Sequence, residues 1–179
     1  MIYLFLADGF EEIEALTPYD LLLRAGADIK TVSINQTDIV TGAHGIKVHA
    51  DICINDLDST LPDAIILPGG MPGASNLDNN NRVDEYITLC NDNNKLICAI
   101  CAAPFILGKR GLLNGKKAIC FPGFDDKLTG AVISDKKVVT DANIITAKGM
   151  GVAFDFGIAI VSYLFGEEKA KELKASTMA

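Results

Sequence analysis

The chain has 179 residues, of which 49% are hydrophobic and 22% charged, and its formal net charge is −7. That length and balance fit one globular unit with a sizeable core, so residues 1–179 are expected to form a single domain. A negative balance without a run of Lys and Arg among aromatics excludes a general nucleic-acid surface, because phosphate affinity is built from those cations.

Residues 2–7 form an apolar run that predicts a buried first strand. Acids follow at once, at Asp8, Glu11, Glu12 and Glu14, and no basic leader precedes the run, so it does not read as a signal peptide. Ile13, Leu16, Tyr19, Leu22 and Leu23 recur at helical spacing, and Arg24-Ala25-Gly26 closes that helix. Residues 28–34 predict the second strand, and residues 35–54 a hairpin excursion containing Gly42 and Gly45. Residues 63–67 predict a buried strand that runs into Pro68-Gly69-Gly70. Residues 82–90 are helical, 91–94 a polar loop and 95–100 a further strand. After Cys101, residues 102–109 have helical character, with Pro104 tolerable in a first turn. Shorter strands are predicted at 117–120, 138–140 and 143–147. A nearly all-apolar helix at 152–165 is ended by Gly166, and a solvated helix at 167–174 follows. Strands alternating with helices predict an α/β fold whose mostly parallel sheet is covered on both faces.

The most apolar late segment is interrupted by Asp155 and is too short for a membrane span. Five irregularly spaced cysteines, Cys53, Cys90, Cys98, Cys101 and Cys120, have the pattern of reduced thiols. The expected setting is therefore cytoplasmic, without membrane or nucleic-acid partners. Cys98 and Cys101 form a C-x-x-C, but Cys98 falls inside an apolar strand, which disfavours a dithiol at a helix start. Zinc needs more ligands than His44 and His49 supply, so no metal and no cofactor are expected.

Ligands of open parallel sheets bind where strands end and helices begin. Three such corners stand out: residues 8–14, 67–73 and 97–104. In the third, four apolar residues lead into Cys101 and small residues follow, as in a nucleophile elbow carrying Cys in place of Ser. A thiol facing a helix start is expected to ionise more readily; the same residues would also serve a buried core cysteine. Gly69 and Gly70 expose backbone amides suited to an oxyanion, or form a plain tight turn. Glu11 and Glu12 read as acids favoured at a helix start. Glu14, flanked by Ile13 and Leu16, is expected to point into the crevice, where burial would keep it protonated and able to donate to sulfur. His44 and His49 fall in the hairpin and read as surface or interface residues.

With these corners in hand, the sequence resembles the ThiJ/PfpI superfamily, in its DJ-1 and bacterial ThiJ/YajL-like branch. The resemblance rests on the order and spacing of Gly9-Phe10-Glu11-Glu12-Ile13-Glu14, of Leu67-Pro68-Gly69-Gly70 with Gly73-Ala74-Ser75-Asn76-Leu77, and of Ala99-Ile100-Cys101-Ala102-Ala103-Pro104. Gly149-Met150-Gly151 and Asp155-Phe156-Gly157 continue it. It implies a flavodoxin-like three-layer sandwich and a homodimer. It also implies that Cys101 is the reactive residue, Glu14 its hydrogen-bonding partner, and Gly70 and Ala102 suppliers of oxyanion-type amides. Family activities include cofactor-free glyoxalase chemistry on small reactive aldehydes, deglycation of damaged proteins, chaperone behaviour towards protein clients and redox sensing under oxidative stress. Protease or amidase activity belongs to the PfpI branch. Where protease-like members carry His after the cysteine, this chain has Ala102. Where some relatives place His before a proline, it has Phe121 before Pro122, and His44 occupies the place of a hairpin Arg. His44 and Phe121 are thus expected beside the pocket or on the dimer side. The resemblance implies an enzyme in which Cys101 adds to a 2-oxoaldehyde and Glu14 shuttles the proton. Its alternatives are a sensor or chaperone working through Cys101 oxidation, and a cysteine amidase completed by another subunit.

Overall fold

The computed structural model describes residues 1–58 and 60–179. Its elements follow in chain order. First come β1 (Ile2–Leu6), α1 (Glu12–Arg24), β2 (Ile29–Ser33), β3 (Ile39–Thr41), β4 (Lys47–His49), β5 (Ile52–Cys53) and β6 (Ala64–Leu67). Then come α2 (Gly73–Asp78), α3 (Asn81–Asp92), β7 (Leu96–Ile100), α4 (Pro104–Lys109) and β8 (Lys117–Ala118). The chain ends with β9 (Val132–Ile133), β10 (Val138–Asp141), β11 (Ile144–Ala147), α5 (Ala153–Phe165) and α6 (Glu167–Ser176).

Seven strands form the main sheet in the order β10-β11-β7-β6-β1-β2-β5, every pair parallel except β10 with β11. A parallel strand sheltered on both faces has no solvent side, which is why β1, β6 and β7 are unbroken apolar runs, wholly buried. Successive side chains feed opposite cores. Tyr3, Phe5, Ile65, Leu67, Ile97 and Ala99 pack with α3 and α4 residues such as Tyr86, Ile87 and Ile106. Ile2, Leu4, Leu6, Ile66, Cys98 and Ile100 pack on the other face with Leu21 and Leu22 of α1 and Phe156 and Ile160 of α5. These are the helices on both faces that the alternation of patterns predicts.

The structure departs from the sequence reading locally. The expected loop at 91–94 gives its first two residues to α3, and Asn94 turns the chain with φ 53°. The helix expected from Ala102 begins at Pro104, because residues 101–103 are spent on a tight turn. Strand β8 stops at Ala118 and pairs with the unforeseen β9 in a small separate sheet. Helix α2 was not foreseen either. The excursion at 35–54 is the antiparallel pair β3–β4, after which β5 returns to the main sheet beside β2.

Helices α1 and α5 approach closely because Gly157 has no side chain. A Cβ there would stand 2.6 Å from Leu21 Cδ1 and 3.1 Å from the Pro18 backbone. Gly157→Val is therefore expected to cost about 1–3 kcal/mol through overpacking, read as a lower urea midpoint with an unchanged slope.

Candidate active site

Strands β6, β1 and β7 are parallel and contiguous, with β6 between the other two. Their C-terminal ends thus open on one side, and the three corners meet there. Cys101 is the first residue beyond β7 and holds φ 63°, a left-handed conformation that costs a non-glycine residue about 1–3 kcal/mol. The turn is fixed from both sides. The Cys101 N–H donates to the Ala147 carbonyl at 2.9 Å, and its carbonyl accepts from the Phe121 amide at 2.8 Å. The Ala103 amide closes the turn on Ile100 at 3.0 Å. This reversal leaves the thiol half-buried, with the Ala102 and Gly70 amides approaching its sulfur.

Glu14, in the first turn of α1, is fully buried. Its Oε2 accepts from the Gly69 amide at 3.0 Å. Its Oε1 has no hydrogen-bond partner among the described residues, and the carboxyl lies only in loose reach of the Cys101 thiol and the Met150 amide. An ionised oxygen so poorly paired away from water is unfavourable. Burial accordingly pushes the carboxyl up to about 7, against hydrogen bonds from Cys101, Gly69 and Met150 that pull it down.

The thiol departs from expectation. A helix start was expected to make it more acidic, yet burial pushes it up to about 12, reinforced by the charge of Glu14 and the hydrogen bond to it. Helix α4 is six residues long and begins only at Pro104, so the opposing pull comes from the single amides of Ala102 and Gly70. The two shifts belong to one pair sharing one proton. When the proton sits on Glu14, the charge opposing a thiolate is gone and the carboxyl O–H becomes a donor towards sulfur. The thiolate therefore belongs to the state in which Glu14 is protonated.

Gly69 is required by contact: a Cβ there would lie 2.5 Å from Glu14 Oε2 and 2.7 Å from Cys101 Cβ. Gly70 has φ 85° and lies against the backbone of Gly9, Phe10 and Glu11, so it has neither the conformation nor the space for a side chain. Phe121 reaches the site through its bond to Cys101, and its ring borders Gly149. Cys101, Glu14, Gly69, Gly70, Ala102 and Phe121 are thus brought together.

His44 is not part of that constellation. Its side chain is exposed, and Glu12 holds it, Oε1 accepting from the His44 amide at 2.8 Å and Oε2 lying 2.7 Å from Nδ1. The carboxylate hydrogen bond raises the imidazole pKa. Glu12, read as an ordinary helix-start acid, is instead buried and clamps the β3–β4 hairpin to α1. Ligand atoms of Glu11, Glu12 and His44 lie within 4.8 Å of one another, a grouping able to hold a metal ion. Cys98 faces the α1–α5 core, fully buried, and burial holds its thiol far above the ordinary range. Met150, whose amide approaches Glu14, escaped the sequence reading because no residue-type pattern marks a backbone donor.

A sequence model of the DJ-1/PfpI family matches residues 1–163. The chain belongs to the DJ-1/PfpI family. It is 38% identical over 173 residues to protein DJ-1 homolog A of Arabidopsis thaliana, which covers 95% of this chain but 44% of that protein. The chain thus spans less than half the length of this plant relative. A Caenorhabditis elegans relative named a glutathione-independent glyoxalase is 34% identical over 165 residues, covering 91% of this chain and 87% of its own. Oxidized Toxoplasma gondii DJ-1 superposes with a TM-score of 0.95 at 33% identity, over 99% of this chain and 97% of that one. This likeness bears out the flavodoxin-like fold expected of a DJ-1/PfpI member. No described helix is long and apolar enough to cross a membrane.

Because Glu14 titrates higher folded than unfolded, its protonated form favours the native state. That stability is complete below about pH 4.5 and is lost as pH rises towards about 7. Relative to wild type, Glu14→Gln is expected to flatten urea-derived stability across this window and to be the more stable above it, by roughly 2–4 kcal/mol. Gly69→Ala is expected to displace Glu14 and slow iodoacetamide labelling of Cys101 at least about tenfold, with the far-ultraviolet circular dichroism retained.

Proposed function

We propose that this DJ-1/PfpI member converts small 2-oxoaldehydes such as methylglyoxal to 2-hydroxy acids without a cofactor. One observation carries the reading: a buried carboxyl poised near neutrality and within reach of a thiol whose sulfur two backbone amides approach. The C. elegans relative named as a glyoxalase supports the same chemistry.

In the proposed reaction Glu14 holds the shared proton and Cys101 is a thiolate. Sulfur attacks the aldehyde carbon, and the carbonyl π electrons move to oxygen, which takes the Glu14 proton to give a hemithioacetal. Glu14, now ionised, removes the proton from the former aldehyde carbon, giving an enediolate, and returns it to the adjacent carbon. The hydroxyl proton on the sulfur-bearing carbon meanwhile passes to the neighbouring oxygen and leaves a carbonyl behind. The result is an enzyme thioester of the 2-hydroxy acid. Water hydrolyses the thioester, releasing lactate from methylglyoxal and restoring the thiol. The Gly70 and Ala102 amides lie where negative charge passes between sulfur and the substrate oxygen. The proposed assembly is a homodimer, for which the exposed Ile13 and Leu16 on α1 and Ile46 beside the hairpin offer an apolar face.

A second reading, a redox sensor, draws on the same two amides, which suit the oxygens of a sulfinate on Cys101. Lactate formation is expected to be abolished by Cys101→Ser and to fall about 10²–10⁴-fold in Glu14→Gln. Glu14→Gln should nonetheless keep iodoacetamide labelling of Cys101, since an amide still donates to sulfur. No lactate from wild type, with mild peroxide adding two oxygens that Cys101→Ser prevents, would replace the enzyme reading with the sensor.

A further inference from the structure

We infer that the site selects neutral 2-oxoaldehydes bearing a bulky apolar substituent, an aryl group above all, and rejects carboxylate-bearing ones; this rests on the proposed reaction at Cys101. The grounds are three large, half-exposed apolar residues joined by backbone to the reacting pair: Phe121, 48% exposed, Met150, 54%, and Met71, 52%, whose sulfur accepts from Ser75 Oγ at 3.7 Å. Single exposed apolar residues are ordinary on a surface. These three, however, are each tied through the backbone to the reacting atoms. Met71 follows Gly70, whose amide approaches the Cys101 sulfur. Phe121 donates its own amide to the Cys101 carbonyl. Met150 brings its amide near the Glu14 carboxyl.

Between them the floor is kept clear. A Cβ on Gly149 would stand 3.3 Å from the Phe121 ring and 3.9 Å from Glu14 Oε1, so the missing side chain leaves a gap between ring and carboxyl. Two thioethers and one phenyl ring present a soft, adaptable apolar surface suited to a flat or branched substituent. The charged side chain that acts on the pair from outside it is a carboxylate, Glu11. A substrate carboxylate would enter against that charge and lose hydration to apolar neighbours.

The test compares phenylglyoxal, methylglyoxal and 4,5-dioxopentanoate, a 2-oxoaldehyde that carries a carboxylate, as substrates for wild type, Phe121→Ala and Met150→Ala. In parallel, N-benzyl iodoacetamide, iodoacetamide and iodoacetate label Cys101, each rate normalised to the same reagent with glutathione and read by peptide mass. The expected order of kcat/KM is phenylglyoxal, methylglyoxal, 4,5-dioxopentanoate, with about tenfold between the first two, the usual worth of one apolar contact. Either alanine variant should cut phenylglyoxal turnover severalfold more than methylglyoxal turnover, and the labelling order should be benzyl, unsubstituted, anionic. Methylglyoxal turnover with a flat or inverted substrate and labelling order overturns the inference and leaves the proposed function standing. No turnover of any aldehyde, with the labelling order as expected, sinks the proposed reaction and supports the apolar selectivity of the rim.

Discussion

Burying Glu14 leaves it one sound hydrogen bond, from the Gly69 amide, and one oxygen without a partner among the described residues. Much of the local architecture answers to that arrangement. Residue 69 has no room for a side chain because the carboxyl and Cys101 occupy the space. The β6 corner must lie between those of β1 and β7, which the strand order secures. The start of α1 must be held still, and the β3–β4 hairpin does this through the Glu12–His44 pair and through Ala43, whose amide donates to the Phe10 carbonyl at 2.8 Å. A carboxyl kept half-protonated near neutrality follows from burial, not from a specialised partner.

The thiol is governed by the same proton. Considered alone, its raised pKa would describe an inert core cysteine. Considered with Glu14, it describes a pair in which acid and nucleophile cannot both be charged, so one proton transfer arms both. In the proposed reaction the proton shared with Glu14 serves where no histidine adjoins the cysteine, the next residue being Ala102.

Much of this was legible in the chain. Residues 2–7, 63–67 and 95–100 read as strands because burial on both faces leaves nothing to alternate, and their ends marked the crevice. Glu14 separated itself from Glu11 and Glu12 by its apolar flanks. What stayed hidden depended on contacts between distant segments. The Glu12–His44 pair spans 32 residues, and nothing local distinguishes Glu12 from a solvated acid. The two-residue strands β8 and β9 are too short for periodicity to register. The direction of the thiol shift was missed because a helix start was credited over burial and a neighbouring carboxylate, the larger influences here. Phe121 was placed beside the pocket by resemblance alone, while Met150 acts through its backbone, which sequence patterns do not report.

The left-handed turn at Cys101 also has an evolutionary side. Glycine adopts φ 63° freely, whereas cysteine holds it at a cost of about 1–3 kcal/mol, a sizeable share of a domain's margin. Stability alone would therefore let this position drift towards glycine, and every generation that keeps the thiol keeps the strain with it. A lineage in which the sulfur chemistry ceased to matter would be free to shed both together, gaining robustness as it lost the nucleophile.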